Sequence, residues 1–281
     1  MATLWKTKGD YRVCENSRGL LVEGHVGKVL LGLIKDVLGP VASRSLPKTQ
    51  MGGMSAGGTD FATHTLRLLE EFARQSRLSL FMMFVDLAQA CDRVVREVMF
   101  GWPQPTAGQS ELDCAADRRR YLASIGVGEC AVEKIVGLVA SDGTVLDAWG
   151  VDPVVQELVR GLHSQAWFQV EGCSSVVATG TGARQGCKLG GLVFAAIYEQ
   201  ALADVRRQLK DANVAVTFHV SSERACWLPS CESDACTDDA AVEVTFVDDE
   251  ALAVVAPSPA VLDRAVNAVA CLCAHEFFLQ V

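Results

Sequence analysis

The spacing of apolar residues predicts two helices in the first 80 residues. Apolar side chains recur every three or four positions over 28–38, which is typical of an amphipathic helix, and Gly39-Pro40 is expected to end it. A turn-rich loop over 50–60 precedes a second helix, which Thr59 or Asp60 can cap. The remainder of 1–58 is predicted to be irregular. The apolar stripe expected on the second helix comprises Phe61, Leu68, Leu69 and Phe72.

Two apolar segments of strand length end in acidic residues. Residues 78–85 form a continuous apolar run that stops at Asp86, as expected for a buried central strand. Residues 241–247 and 251–255 predict a hairpin with the acidic residues 248–250 at its tip. The other predicted elements are a helix with Val94, Val95, Val98 and Met99, a mostly helical segment over 101–165, a strand pair over 166–178 turning at Glu171-Gly172, a helix over 192–209, a polar surface insertion over 221–240, and a last helix from Ser258-Pro259. This mixture of helices and antiparallel strands indicates an α+β fold.

Composition and charge narrow the class of protein. The chain has 281 residues, of which 50% are hydrophobic and 21% charged, so it is expected to fold. Its apolar runs are shorter than the ~18 residues that a membrane span needs, so we expect a soluble protein with no membrane partner. Its eleven cysteines are an odd number, so we expect reduced thiols and an intracellular location, in the nucleus or the cytoplasm. A net charge of -9 argues against a free-standing nucleic-acid binder.

Three carboxylates are the first candidate site. Asp86 and the pair Asp248-Asp249 each end an apolar strand, although a single aspartate there is usually a turn or cap residue. If the two strands are neighbours, the carboxylates converge, and such a cluster costs free energy unless cations neutralise it. Oxygen ligands of this kind favour Mg²⁺ or Mn²⁺ and, with two ions ~4 Å apart, in-line phosphoryl transfer.

A glycine-rich loop is the second candidate site. Residues 182–190 precede a helix, and the loop contains Arg184, Gln185 and Lys188. Most such loops only turn the chain, but a cation and an amide inside one can meet a triphosphate and a sugar or base edge.

The three segments, taken in order, resemble the A, B and C motifs of reverse transcriptases. They are residues 84–94, 182–190 and 246–249, and the closest similarity is to non-LTR (LINE-type) retrotransposons and group II intron maturases. Residues 16–20, Lys28 and residues 50–60 are similar to the finger segments of that family. The resemblance covers roughly residues 10–275 and implies a right-hand polymerase palm over 79–281 and partial fingers over 1–78.

The resemblance implies an RNA-directed DNA polymerase that uses an RNA template, a DNA primer and deoxynucleoside triphosphates. Asp86 and Asp248 would ligate both of two Mg²⁺ or Mn²⁺ ions, assisted by the Leu87 carbonyl, and Asp249 would be a weaker or outer ligand. A primer 3′-hydroxyl would then attack the α-phosphate of the nucleotide.

The resemblance also implies which residues approach the nucleotide. Arg184, Gln185 and Gly186 would border it, and Arg18 and Lys28 would approach its triphosphate or the template. Cys91 replaces the phenylalanine or tyrosine with which the family packs the sugar and excludes a 2′-hydroxyl.

The chain ends at Val281, before the D motif, primer grip and thumb of the family, which predicts a truncated product. We therefore expect little or no primer extension with Mg²⁺ from the chain alone, and robust processive synthesis would contradict that expectation. Two alternatives are a catalytically silent palm that binds RNA or protein, and an RNA-templated RNA polymerase.

Overall fold

The computed structural model describes most of the chain. It covers residues 2–13, 16–20, 22–47, 49–52, 58–87, 90–102, 110–141, 143–164, 166–184, 186–211, 218–219, 238–239, 243–246 and 249–280. The helices are α1 His25–Ser45, α2 Thr59–Gln75, α3 Ala90–Arg93, α4 Glu97–Phe100, α5 Glu111–Ser124, α6 Glu129–Ser141, α7 Val145–Ala148, α8 Pro153–His163, α9 Gly190–Asp211 and α10 Pro259–Gln280. The strands are β1 Ala2–Trp5, β2 Ser17–Leu20, β3 Ser79–Asp86, β4 Ala166–Gln169, β5 Val176–Thr179, β6 Phe218–His219, β7 Asp238–Asp239, β8 Glu243–Phe246 and β9 Asp249–Ala256.

An antiparallel sheet in the order β3-β9-β8 carries the acidic strand ends. The hairpin of β8 and β9 confirms the predicted hairpin, and the β4-β5 hairpin confirms the predicted strand pair. The prediction that residues 78–85 form a central strand is wrong for the described sheet, because among the described strands β3 lies at the edge and β9 lies at the centre. β9 is buried along most of its length, whereas Phe84 in β3 is exposed.

Three short pairings lie outside this pattern, and one of them joins β6 and β7. β1 and β2 form an antiparallel hairpin, so the prediction of an irregular start is wrong for these residues. Residues 49–51 lie beside β8, since the Met51 amide donates to the Thr245 carbonyl at 2.8 Å and the Thr245 amide donates to the Thr49 carbonyl at 3.0 Å. The segment therefore extends the outer edge of the sheet.

Helix α1 does not end at Gly39-Pro40 as predicted but continues to Ser45 with Pro40 inside it. A proline in a helix interior costs about 3 kcal/mol. Leu38 and Ala42, on either side of the proline, are fully buried and continue the apolar stripe of the first turns. Burial of one continuous stripe offsets the local penalty, and sequence spacing alone does not reveal it.

Helix α2 begins one residue earlier than its predicted caps allow. Gly58 is the N-cap, and Thr59 is the first helical residue. Of the four residues predicted on the inward stripe only Leu69 is buried, together with Ala73, while Phe61, Leu68 and Phe72 are exposed. The helix packs on β3 and β8, and Leu69 and Ala73 are the residues that it buries.

Helix α9 lies at the centre of the apolar core. Eleven of its residues are buried, and it packs against α1, α4 and α10. The predicted helical character of 101–165 is confirmed by α5 to α8, and the last helix begins at Pro259, close to its predicted start. Within the described residues, each helix is too short or too polar to cross a bilayer. Helices packed with small antiparallel sheets agree with the predicted α+β class.

Candidate functional site

Asp86 and Asp249 lie opposite each other at one end of the sheet. They are register partners of β3 and β9, where paired Cα atoms are about 4.5–5.5 Å apart. Opposed residues of an antiparallel pair point to the same face, and both aspartates are exposed. The structure therefore brings two of the three predicted carboxylates together, while Asp248 lies outside the described residues.

This carboxylate pair can serve as a cation site. Two like charges at this spacing repel each other unless a cation lies between them, and carboxylate oxygens suit Mg²⁺ or Mn²⁺. Among the described side chains, no group of three or more histidine, cysteine, aspartate or glutamate residues forms a metal cluster. The described part of the site thus offers two hard oxygen ligands, and a third would have to come from Asp248 or from a substrate.

The glycine-rich loop closes on itself at Gly190. A Cβ on that residue would lie 2.6 Å from the carbonyl oxygen of Ala183 and 2.8 Å from that of Arg184. These distances are shorter than side chains tolerate, so the start and end of the loop meet because residue 190 has no side chain. The loop then leads directly into α9.

The other end of the loop packs on the chain that follows β3. The Gly182 amide donates to the Val94 carbonyl at 2.9 Å, and the Ala183 amide donates to the Cys91 carbonyl at 2.6 Å. Because these carbonyls bond to the loop, the single helix predicted through Val94–Met99 is instead broken into α3 and α4. Gly182 has a φ of +96°, and a Cβ on it would lie 3.2 Å from the carbonyl oxygens of Cys91 and Asp92. Cys91 and the glycine-rich loop are therefore neighbours, and this could not be read from the sequence.

The remaining predicted loop residues differ in environment. Gly186 is exposed, with a φ of +96°, and Gln185 lies outside the described residues. Arg184 is half-buried, and its Nη2 donates to the Leu162 carbonyl at 3.0 Å. Its guanidinium is thus anchored by one nitrogen at the end of α8.

The remaining predicted residues lie in different parts of the fold. Leu87 is buried directly after Asp86, and Lys28 is exposed in the first turn of α1. Arg18 is the register partner of Leu4 in the β1-β2 hairpin. In the part of the chain that the structure describes, no hydrogen bond or ion pair links Lys28 to the carboxylate pair.

The loop does touch α1 through other residues. A Cβ on Gly32 would lie 3.0 Å from the Lys188 Nζ, so the lysine side chain lies along that helix. Burial raises the pKa of the Cys187 thiol to about 11, and the nearby Glu23 carboxylate contributes in the same direction.

No family model matches this sequence, and no curated protein matches it.

Arg96 is a buried residue that sequence reasoning missed. Its Nε donates to the Gly182 carbonyl at 2.6 Å, and its Nη1 donates to the carbonyls of His163 at 3.1 Å and Thr179 at 3.4 Å. Its Nη2 donates to the Thr179 Oγ1 at 2.9 Å and to the Thr181 carbonyl. All five N–H groups of the guanidinium thus have acceptors. The sequence signal that could have indicated its burial is a charged residue inside an apolar run.

Glu250 is the second residue that sequence reasoning missed. It was predicted at the tip of the hairpin but lies inside β9, where it is 3% exposed. It faces away from the Asp249 side because neighbouring residues of a strand alternate. The Tyr198 hydroxyl, from α9, donates to its carboxylate. This contact ties the helix that follows the glycine-rich loop to the strand that carries Asp249.

Tyr198→Phe tests that tie. The substitution removes one hydroxyl and takes a donor from a buried carboxylate, so we expect the free energy of unfolding to fall by about 1–3 kcal/mol. Urea denaturation measures it. Tyr11→Phe is the matched control, since Tyr11 is exposed, and its change should stay within about 0.5 kcal/mol. Equal effects of the two substitutions would contradict the role given to Tyr198.

Gly190→Ala tests the closed loop. The added Cβ meets backbone oxygens that cannot rotate away, so we expect a loss of about 1–3 kcal/mol in urea denaturation. Gly137→Ala, inside α6, is the control, because a Cβ there meets nothing within 4 Å. It should instead stabilise the chain by about 0.5–1 kcal/mol, as alanine does in a helix interior. A neutral Gly190→Ala would show that the loop ends do not meet.

Proposed function

We propose that the protein is an RNA-directed DNA polymerase that adds deoxynucleotides to a primer 3′-hydroxyl. The observation that carries the proposal is the register of β3 and β9, which pairs Asp86 with Asp249 on one exposed face. The glycine-rich loop packs on the residues that directly follow β3, which supports a nucleotide site beside those carboxylates.

Asp86, Asp249 and Asp248 would hold two Mg²⁺ or Mn²⁺ ions. Such ions, when bound, help to deprotonate an attacking hydroxyl and neutralise a leaving pyrophosphate. The carboxylates themselves orient the reacting groups along the exposed face, and Arg184 offers the N–H groups that Leu162 does not use to the phosphates or the sugar. Cys91, next to the loop, is the position that the resemblance to reverse transcriptases assigns to the contact with the sugar.

Cys91 favours a second candidate, an RNA-templated RNA polymerase. Its side chain is smaller than the aromatic that packs the sugar in the resembled family, so a 2′-hydroxyl meets less steric exclusion there. Cys91 is half-buried and its carbonyl bonds to Ala183, so the position is fixed against the loop.

Single-nucleotide incorporation tests the proposal. The full chain is incubated for hours with Mn²⁺ and an RNA template bearing a DNA primer, with deoxy- or ribonucleoside triphosphates supplied separately. We expect slow deoxynucleotide addition that Asp249→Asn abolishes and that Asp263→Asn, an exposed change on α10, leaves unaltered. Preferential ribonucleotide addition would favour the RNA polymerase. Incorporation that survives Asp249→Asn would contradict the proposal. Little or no extension is expected with Mg²⁺, but no incorporation over hours with Mn²⁺ would favour the catalytically silent module instead.

A further inference from the structure

Arg96 joins three separate pieces of backbone around one guanidinium. Its acceptors are the last residue of α8 (His163), the last residue of β5 (Thr179) and the turn after it (Thr181 and Gly182). Arginine presents five donors in a fixed planar fork, so bonds to this many acceptors define the path of the chain around it. The side chain is 5% exposed, which protects the bonds from water.

The turn that Arg96 holds is the entrance to the glycine-rich loop. Gly182 accepts from the Arg96 Nε and donates its own amide to Val94, two residues before Arg96. Ala183, the next residue, donates to Cys91. Arg96 is thus linked to Cys91 through the loop: it bonds to Gly182, and the next residue, Ala183, bonds to Cys91.

The charges near Arg96 are consistent with a cation that binds protein groups and no nucleotide. Burial lowers the pKa of Arg96 from its usual value, and the nearby Arg184 guanidinium lowers it further. Because its five donors all bond to the protein, Arg96 has no N–H group left for a nucleotide. A role for it in nucleotide addition must therefore pass through the loop.

We infer that Arg96 is a positioning residue that holds the glycine-rich loop against Cys91 and thereby sets how the site distinguishes deoxyribose from ribose. This inference rests on the proposed function and names a determinant of its sugar selection. The two walls beside the sugar would be Cys91 and the loop from Gly182 to Arg184. Their separation is fixed by Arg96 and by the two backbone hydrogen bonds that it supports.

Arg96→Lys is the sharpest test, because lysine keeps the buried cation but brings three donors that radiate from one nitrogen. Amide hydrogen exchange of the full chain measures the loop directly. We expect the Gly182 and Ala183 amides to exchange about 10–100-fold faster, as follows when hydrogen bonds to a charged group are lost. The Val193 amide in α9, bonded to the Leu189 carbonyl, should not change and excludes global unfolding.

Arg160→Lys is the matched control. Arg160 is half-buried and bonds to the Phe100 carbonyl at 2.7 Å, and it has no hydrogen bond to the described residues of the loop. Its substitution should leave the Gly182 and Ala183 amides unchanged. Arg96→Met provides a second variant that removes the cation altogether and should accelerate the same two amides further.

Nucleotide affinity is the second measurement, because a role of Arg96 in stability alone would not change the relative affinities for dATP and ATP. The Kd values of dATP and ATP are measured in Mn²⁺ by displacement of a fluorescent nucleotide. We expect Arg96→Lys to change the ratio of the two Kd values and to leave the Mn²⁺ affinity unchanged, because Asp86 and Asp249 are not among its partners.

Exchange at the two amides and the ratio of the two Kd values together decide the inference. Unchanged exchange at Gly182 and Ala183 would overturn it, and so would faster exchange with an unaltered ratio of Kd values. A change in both supports it. If the wild-type chain binds neither nucleotide, the proposed function fails, and hydrogen exchange alone then decides whether Arg96 holds the loop.

Discussion

Arg96→Met is expected to lower the free energy of unfolding by about 3–5 kcal/mol. Methionine fills much of the same space but leaves the acceptors on His163, Thr179, Thr181 and Gly182 without their donor. Each buried acceptor left unsatisfied costs about 1–3 kcal/mol. The expected total is smaller than the sum over all acceptors, because Thr179 and Thr181 are half-buried and water can bond to theirs.

Urea denaturation of the two proteins measures this loss. Arg160→Met is the control, since it removes one bond to the Phe100 carbonyl and an ion pair with the exposed Glu157, and about 1–2 kcal/mol is expected. Equal losses from the two substitutions would contradict the special role of Arg96.

Acidification is expected to remove about 3 kcal/mol of stability through His163. Burial lowers the pKa of this histidine to about 4, and the cations Arg184 and Arg96 add to the shift, while the Val159 carbonyl, which accepts from Nδ1, opposes it. In the unfolded chain its pKa is about 6.5. The folded state thus binds fewer protons than the unfolded state between pH 6.5 and 4, so the contribution is complete above pH 6.5 and is lost as the pH falls towards 4.

The measurement is the unfolding free energy of wild type and His163→Leu from pH 7.5 to 4. Other groups, such as Glu97, whose pKa burial raises, shift both curves alike, so the difference between the curves isolates His163. We expect the difference to shrink by about 3 kcal/mol towards acid. His64→Gln, at an exposed position on α2, should run parallel to wild type. A constant difference between wild type and His163→Leu would contradict the buried neutral histidine.

The elements with a strong internal period could be predicted from the sequence. The β8-β9 hairpin, the β4-β5 hairpin and α9 each have their period and their turn residues within one stretch of chain. Asp86 at a strand end was also predictable, because an apolar run stops there. These features depend on neighbours in sequence.

Features that depend on contacts distant in sequence were not predictable. Pro40 stays helical because Leu38 and Ala42 are buried on both sides of it. Val94 interrupts a helix because Gly182, far along the chain, uses its carbonyl. The apolar content of β3 predicted that it lies at the centre of the sheet. The pairing of β9 with both β3 and β8 shows that β9 is the central strand of the described sheet.

The candidate site divides in the same way. The motifs could suggest Asp86, Asp249 and the glycine-rich loop as separate pieces, but not that Cys91 and Ala183 share a hydrogen bond. Arg96 and Glu250 are charged residues that the sequence shows plainly. Their structural roles become visible only in the folded chain, where backbone acceptors surround the Arg96 guanidinium and the Tyr198 hydroxyl bonds to Glu250.

Titration with Mn²⁺ by isothermal calorimetry tests the central claim most directly, namely that Asp86 and Asp249 form one cation site with Asp248. Wild type should bind Mn²⁺. Asp86→Asn, Asp249→Asn and Asp248→Ala should each weaken binding by more than about tenfold, since even outer-shell partners of metal ligands cost about 10–100-fold. Asp263→Asn should leave binding intact. Traces of Asp86→Asn and Asp249→Asn that match wild type would contradict the shared site and the polymerase proposal with it.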